Sequence, residues 1–186
     1  MMRILAISGS LRTDSSNTIL LSATRVLAPE GVEVILFLGI GDLPHFNPDL
    51  DNDPGTPAVE RFRSHLRNSA GVIVSSPEYA HGIPGALKNA LDWVVRSGEL
   101  YEKPIALFNA SPRATYAQAS LVETLTVMTA RLIAHATVTL PLLGVGIDET
   151  SIISHPETST ALRSAVKQFA NSIRRQGTEG MSGFGG

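Results

Sequence analysis

The sequence contains no cysteine among its 186 residues. This absence excludes disulfide bonds, thiolate metal sites and a cysteine nucleophile, and it leaves the cellular compartment open. No apolar run approaches the length that a membrane-spanning helix needs. The short apolar stretch of residues 4–7 is followed by Arg12 rather than by a cleavage site, so no signal peptide is predicted. We therefore expect a soluble, cytoplasmic protein with no membrane partner.

An excess of charge of either sign is also missing. The 15 Lys and Arg residues nearly balance the 17 Asp and Glu residues, giving a formal net charge of -2. Without a long basic run, nucleic acid is not expected as a partner. The five histidines lack the H-x-x-x-H spacing, and the aspartates of residues 49–53 are typical of turns. No metal site is predicted.

Apolar runs alternate with helical patterns along residues 1–176, which we interpret as one domain. The predicted strands are residues 3–8, 32–38, 71–75, 104–109 and 135–140, and the predicted helices are residues 18–27, 59–68, 84–95, 116–133 and 156–174. A connecting loop rich in Gly, Pro, Asn and Asp occupies residues 39–57. The alternation predicts an α/β fold with helices on both faces of a five-stranded parallel sheet of order 2-1-3-4-5. The glycine-rich residues 177–186 are predicted to be disordered.

Ligands of such folds bind beyond the carboxyl ends of the strands. This rule selects a first loop (residues 9–17), a second loop (residues 76–85) and a third loop (residues 110–118). In the first loop Gly9 permits a tight turn, the serines offer hydroxyls, and the Arg12 guanidinium suits a phosphate. Ser15, Ser16 or Asn17 could cap the next helix, whose N-terminus favours an anion. An ordinary polar turn before a capped helix is the alternative.

Motifs that the first loop lacks exclude several classes of phosphate ligand. It has neither the G-x-x-x-x-G-K-[ST] of a nucleoside triphosphate site nor the G-x-G-x-x-G of a dinucleotide site. A phosphatase loop with a nucleophilic cysteine is excluded because the chain has no cysteine. A phosphomonoester held by hydroxyls fits best.

The second loop, SPEYAHGIPG, has a backbone stiffened by two prolines. Tyr79 could pack beside a planar ring, and Gly82 and Gly85 permit its close approach. A flavin, whose pyrimidine edge needs backbone donors and acceptors, would be bound in this way. For Glu78, Tyr79 and His81 the alternative is an ordinary polar loop or a subunit contact.

The motifs of these loops resemble those of a known family. The segment GSLR at residues 9–12, with Ser15 and Asn17, is similar to the G-S-L-R-x-x-S-x-N signature of the NADPH-dependent FMN reductases. The segment PEY at residues 77–79, followed by GIPGALKNALDW at residues 82–93, looks like the second motif of that family. The connecting loop, with DLP at residues 42–44 and NPDL at residues 47–50, resembles the family as well. The likeness extends from about Arg3 through the final helix.

The resemblance implies a flavodoxin-like three-layer sandwich that binds FMN without a covalent bond. The cofactor-binding residues that it implies surround the phosphate and the ring: Ser10, Arg12, Ser15, Ser16, Asn17, Pro77, Glu78, Tyr79, Ala80, His81, Gly82 and Ser111. The chain departs from the family in two places. Family members commonly carry asparagine where this chain has Ala80, and the third loop lacks a glycine-rich stretch with an arginine, for which Arg113 could substitute.

The resemblance also implies an enzyme that transfers a hydride from NADPH or NADH, through FMN, to a small acceptor such as a quinone, a flavin, an azo compound or a metal oxyanion. We expect ping-pong kinetics, and no acid–base catalytic residue is predicted. The alternative is a flavodoxin-like electron carrier, or a regulatory protein, that binds FMN without NAD(P)H turnover. The family implies a homodimer or homotetramer, and Trp93 and residues 121–133 are candidates for the interface.

Overall fold

The computed structural model describes residues 1–52, 55–142 and 147–182, with side chains through residue 176. The strands of this part are β1 Met2–Ser8, β2 Val32–Phe37, β3 Gly71–Ser75, β4 Pro104–Asn109, β5 Arg131–Leu132 and β6 Val138–Thr139. Its α-helices are α1 Ser16–Val26, α2 Pro57–Arg67, α3 Gly85–Asp92, α4 Thr115–Val127, α5 Glu149–Ser154 and α6 Pro156–Ser182. The connecting loop contains two short 3-10 turns, Gly39–Asp42 and Pro48–Leu50.

The strands form one parallel sheet in the order β2-β1-β3-β4-β5, with β6 paired to β4. The central strand β1 pairs with both neighbours, so that Leu5 lies opposite Ile35 of β2 and Val72 of β3. Strands β3 and β4 are buried along their whole length, as expected for a sheet covered on both faces. The predicted α/β class and strand order are confirmed.

Alternate residues of each strand point to opposite faces of the sheet, so the sheet separates two apolar cores. Ile4 and Ala6 face a core formed with α1, α5 and α6. Leu5 and Ile7 face a second core formed with α2, α3 and α4. The flavodoxin-like three-layer arrangement follows from this alternation. No helix in the described ranges is long and apolar enough to cross a bilayer.

The fifth strand of the sheet differs from the prediction. The predicted helix at residues 116–133 ends at Val127, because Thr129 adopts a left-handed conformation (φ 57°) and the Ala130 N–H donates to the Leu125 carbonyl at 3.0 Å. This is a Schellman cap, which usually has glycine where this chain has threonine. Beyond it the edge strand is divided by a 3-10 turn, Ala134–Ala136, that separates β5 from β6. The predicted strand at residues 135–140 is therefore wrong in its bounds.

The C-terminal region contains one helix that the sequence did not indicate. Helix α5 begins with a capping box, in which the Ser151 N–H donates to Asp148 Oδ1 and the Asp148 N–H donates to Ser151 Oγ. Helix α6 continues to Ser182, beyond the predicted end at Arg174. Residues 183–186 and the side chains of residues 177–182 lie outside the described part, so the prediction made for residues 177–186 stays a prediction.

Candidate functional site

The three loops meet at the carboxyl edge of the sheet. The Gly9 N–H donates to the Ser75 carbonyl at 2.8 Å and so joins the first loop to the end of β3. A β-carbon on Gly9 would lie 3.0 Å from Ser76 Oγ and 3.0 Å from Leu87 Cδ2. A larger residue at this position would make these neighbours shift by a few tenths of an ångström, so glycine favours the close approach of the first two loops.

The first turn of α1 has hydrogen-bond donors without acceptors. Ser15 occupies the N-cap position, but its side chain makes no capping bond, and the first turn contains no acidic residue. The backbone N–H groups of Ser16, Asn17 and Thr18 have no partner among the described residues. Together with the helix dipole, these N–H groups form a site of positive potential that suits an anion.

The first loop adds hydroxyls and a guanidinium to these donors. Ser10 and Ser15 are buried, and Ser10 Oγ accepts the Arg12 N–H at 3.2 Å. The Arg12 side chain is exposed, and its guanidinium has no partner within the described ranges. An arginine that balances no carboxylate is available for a ligand of negative charge.

Buried polar contacts hold the start of α1 against the sheet. Asn17 Oδ1 accepts the Ser75 hydroxyl at 2.8 Å, and Ser8 Oγ lies 2.8 Å from Thr18 Oγ1. Ser8, Asn17 and Ser75 are all buried. The position of the α1 N-terminus is thus fixed by the ends of β1 and β3.

A cleft with a volume of about 400 Å³ opens between the loops. The predicted site residues that line it are Ser16, Asn17, Pro77, Glu78 and Ser111. Its walls also include Ser76, Ala110, Arg113 and Ala114, which belong to the selected loops but were not among the predicted cofactor-binding residues, and Asn109 and Leu142, which lie outside those loops. Asn109 is the last residue of β4, so the rule that ligands bind beyond the carboxyl ends of the strands could have selected it. Leu142 follows β6, which lies within the predicted strand of residues 135–140, but the segment after that strand was not among the three selected loops.

The other predicted residues lie in the adjoining parts of the first two loops. Ser10, Arg12 and Ser15 precede α1, and Tyr79, Ala80, His81 and Gly82 form a turn of the second loop.

The turn of the second loop is a tight hairpin. The Tyr79 N–H and the Gly82 N–H each donate to the other residue's carbonyl at 3.0 Å. The two residues between them, Ala80 and His81, have φ angles of 49° and 60°. Both lie in the left-handed region that side chains disfavour, as in a type I′ turn. The backbone N–H groups of Glu78, Ala80 and His81 have no partner within the described ranges, so they can donate to a ligand.

Two side chains of the second loop contact α4 instead of the cleft centre. The Ala117 N–H, in the first turn of α4, donates to Glu78 Oε2 at 2.9 Å. The His81 ring is stacked on the Tyr116 ring with a centroid distance of 4.2 Å and an interplanar angle of 17°. Tyr116 is a contact that the sequence interpretation missed, since the start of a helix gives no signal for it. The Tyr79 side chain is half exposed.

The third loop is a compact turn with a second unpaired cation. Asn109 Oδ1 accepts the Ser111 N–H at 3.0 Å, and Ser111 Oγ accepts the Arg113 N–H at 3.2 Å. The Arg113 side chain is exposed at the cleft, and its guanidinium has no partner among the described residues. Throughout the residues that the structure describes, no group of three or more His, Asp or Glu side chains is arranged to hold a metal ion.

Known proteins are similar to this chain both in sequence and in fold. The family described as NADPH-dependent FMN reductase matches residues 2–142, which leaves α5 and α6 outside the match. The chain is similar to a probable NADPH:quinone oxidoreductase 2 of Oryza sativa subsp. japonica, with 42% identity over 114 residues, 59% of this chain and 56% of the relative. It is also similar to a quinone reductase of Escherichia coli K12, with 35% identity over 106 residues, 56% of this chain and 55% of the relative. The chain thus spans about half the length of the curated relatives that it matches.

Among solved structures the likeness covers nearly the whole chain. FerB, a flavoenzyme NAD(P)H:(acceptor) oxidoreductase from Paracoccus denitrificans, superposes with a TM-score of 0.81 and 29% identity. The match covers 94% of this chain and 98% of that one.

Proposed function

This chain belongs to the NADPH-dependent FMN reductase family, and we propose that it binds FMN in the cleft between the three loops and transfers a hydride from NADPH or NADH to a small acceptor. The acceptor classes are quinones, free flavins, azo compounds and metal oxyanions. The names of the rice and Escherichia coli relatives favour a quinone.

The observation that carries the proposal is the set of unpaired donors around the first loop. The N–H groups of the α1 first turn, the hydroxyls of Ser10 and Ser15, and the Arg12 guanidinium all belong to the segment between the end of β1 and the first turn of α1. A phosphomonoester carries up to two negative charges and several acceptor oxygens, so it complements this set.

The second loop fits the ring of the same ligand. The free N–H groups of Glu78, Ala80 and His81 can donate to the oxygens and nitrogens of a pyrimidine edge. Pro77 lines the cleft from the second loop and Ser111 lines it from the third, and the half-exposed Tyr79 follows Glu78 of the lining in the chain. These are the residues that we propose to hold the isoalloxazine.

Bound FMN would supply the redox chemistry, because its ring system exchanges two electrons as a hydride. The contribution of the chain is then to bind the phosphate, orient the ring and leave one face open. Because one cleft serves both the hydride donor and the acceptor, we propose ping-pong kinetics. We assign no acid–base catalytic residue.

The test is the visible spectrum of the purified protein with added FMN, before and after anaerobic NADPH. We expect bound-flavin bands that bleach with NADPH and return with a quinone. Parallel double-reciprocal plots for NADPH and quinone would support the ping-pong order, and intersecting plots would contradict it. Flavin that binds but remains oxidised would favour the carrier or regulatory alternative, and an absence of flavin binding would refute the proposal.

We further propose assembly as a homodimer or homotetramer. Trp93 does not supply the interface, because it is fully buried, its ring N–H donating to the Pro44 carbonyl at 2.8 Å. The exposed apolar side chains of α4, Val122 and Val127, are better candidates. Sedimentation analysis would test this assembly, and a strict monomer would contradict it.

A further inference from the structure

The turn at Tyr79–Gly82 is conformationally unfavourable on its own. Ala80 and His81 both have positive φ angles, although neither is glycine or asparagine, the residues that tolerate this region best. Such a conformation persists only where the surrounding structure determines it. The reciprocal hydrogen bonds of Tyr79 and Gly82 close the turn, but they do not fix its orientation relative to the cleft.

Contacts with α4 supply that orientation. Glu78 Oε2 accepts the Ala117 N–H before the turn, and the His81 ring is stacked on Tyr116 within it. Helix α4 is itself held in the second core by Leu121 and Leu125, both of which are buried. The turn is therefore attached at two points to the first turn of a helix that packs in the second core.

We propose that Glu78, His81 and Tyr116 form an anchor, here the α4 anchor, that positions the second loop for the flavin ring. The inference rests on the proposed function, since it assigns the anchor to the same FMN site. Tyr116 acts through His81 and is a positioning residue. The turn needs the α4 anchor because alanine at position 80 does not favour the left-handed conformation by itself.

The first experiment measures the anchor without FMN. Amide hydrogen exchange of Tyr79 and Gly82 in the apoprotein reports the opening of the turn. We expect Tyr116→Ala to speed exchange of these two amides by about 2- to 10-fold, the range that corresponds to loss of an aromatic pair. Tyr116→Phe keeps the ring and is expected to match the wild type.

The matched control is Tyr101→Ala, which removes another exposed tyrosine, next to β4 at its opposite end. We expect this variant to leave exchange of Tyr79 and Gly82 unchanged. Unchanged exchange in Tyr116→Ala, or an equal change in Tyr101→Ala, would refute the α4 anchor.

The second experiment measures FMN affinity by the quenching of flavin fluorescence. The dissociation constant should rise about 2- to 10-fold in Tyr116→Ala and remain unchanged in Tyr116→Phe. In the background of Ala80→Asn, which tolerates the left-handed turn, the effect of Tyr116→Ala should fall below about 2-fold.

The two measurements separate the possible failures. Faster exchange with an unchanged dissociation constant would show that the α4 anchor does not position the flavin, which overturns the inference. If the wild-type protein bound no FMN, the proposed function would fail and the flavin role of the anchor with it. The exchange data would still distinguish that outcome from the absence of an anchor.

Discussion

Single residues of the second loop adopt conformations that their side chains disfavour. Ala80, with a φ of 49°, is the clearest case, because its methyl group makes no compensating contact of the kind that His81 makes with Tyr116. A left-handed conformation costs an L-residue about 1–2 kcal/mol, a cost that glycine does not have. We therefore expect the backbone conformation at residue 80 to affect stability more than the Ala80 methyl group does.

We predict that Ala80→Gly raises the free energy of unfolding by about 1 kcal/mol, because relief of the strain exceeds the extra entropy of the unfolded chain. Urea denaturation of the apoprotein would measure the change. The control is Ala119→Gly, an exposed site within α4, where the same substitution should lower the free energy by about 1 kcal/mol. Equal signs at the two sites would contradict the assigned turn.

Arg12 differs from Ala80, because its backbone has no positive φ angle and its importance lies in an unpaired side chain. Because its guanidinium has no partner in the described ranges, Arg12→Ala should leave the stability of the apoprotein unchanged. Loss of a charged hydrogen bond to the phosphate should weaken FMN binding by about 10- to 100-fold. Fluorescence titration would measure this loss. Arg25→Ala, which removes an exposed arginine at the other end of α1, should bind FMN like the wild type.

At the scale of secondary-structure elements, the sequence predicts those strands and loops that are specified by residues adjacent in the chain. The buried runs of β1, β3 and β4 and the polar loops that follow them were predictable because apolar strands and turn residues are adjacent in the chain. The end of α4 was not, because a threonine at position 129 occupies the place where glycine usually marks a cap. Leu142 enters the cleft through the pairing of β6 with β4, and Tyr116 through the packing of α4, and both depend on contacts between distant segments.

The connecting loop is held to the second layer by a buried ion pair. Arg63 Nη2 lies 2.6 Å from Asp51 Oδ1, and both side chains are less than a tenth exposed. We predict that Asp51→Ala lowers the free energy of unfolding by about 3–5 kcal/mol, because it leaves the Arg63 charge buried and without its carboxylate. Asp42→Ala is the matched control, since its pair with Arg61 is more than half exposed and should contribute less than about 1 kcal/mol. Denaturant unfolding of both variants would compare them, and similar losses would contradict the prediction.

Lys103 links the end of α2 to β4 and introduces a pH dependence. Its ammonium donates to the carbonyls of Leu66 and Ser69, and burial lowers its pKa, an effect that the nearby Glu99 carboxylate partly opposes. The folded protein then releases this proton at a lower pH than the unfolded chain, so the unfolded chain binds more protons in the window below about pH 10.4. Within that window the contribution of Lys103 to stability rises with pH.

We predict that the difference in unfolding free energy between the wild type and Lys103→Met shifts in favour of the wild type from pH 8 to pH 10. Urea denaturation at both pH values would measure it. A difference that is constant, or that moves in favour of the variant, would show that burial does not control this lysine.

At the scale of the whole molecule, the three loops belong to different layers of the sandwich. The first loop leads into α1 on one face of the sheet, whereas the second and third loops lead into α3 and α4 on the other. A ligand that contacts all three loops joins the two layers at the carboxyl edge. Its binding should therefore stabilise the whole domain against unfolding, as for any ligand that binds only the native state.

FMN at about 100 times its dissociation constant should add about 2.7 kcal/mol to the free energy of unfolding. For a chain of this length that gain corresponds to a rise in Tm of about 5–11 °C, which a thermal melt with and without FMN would detect. Riboflavin has the same ring but no phosphate, so at the same concentration it should raise Tm much less, because it does not engage the α1 N-terminus or Arg12. Equal shifts with FMN and riboflavin would show that the donors of the first loop do not recognise a phosphate. A shift with FMN alone would place the phosphate contacts among the main sources of binding energy.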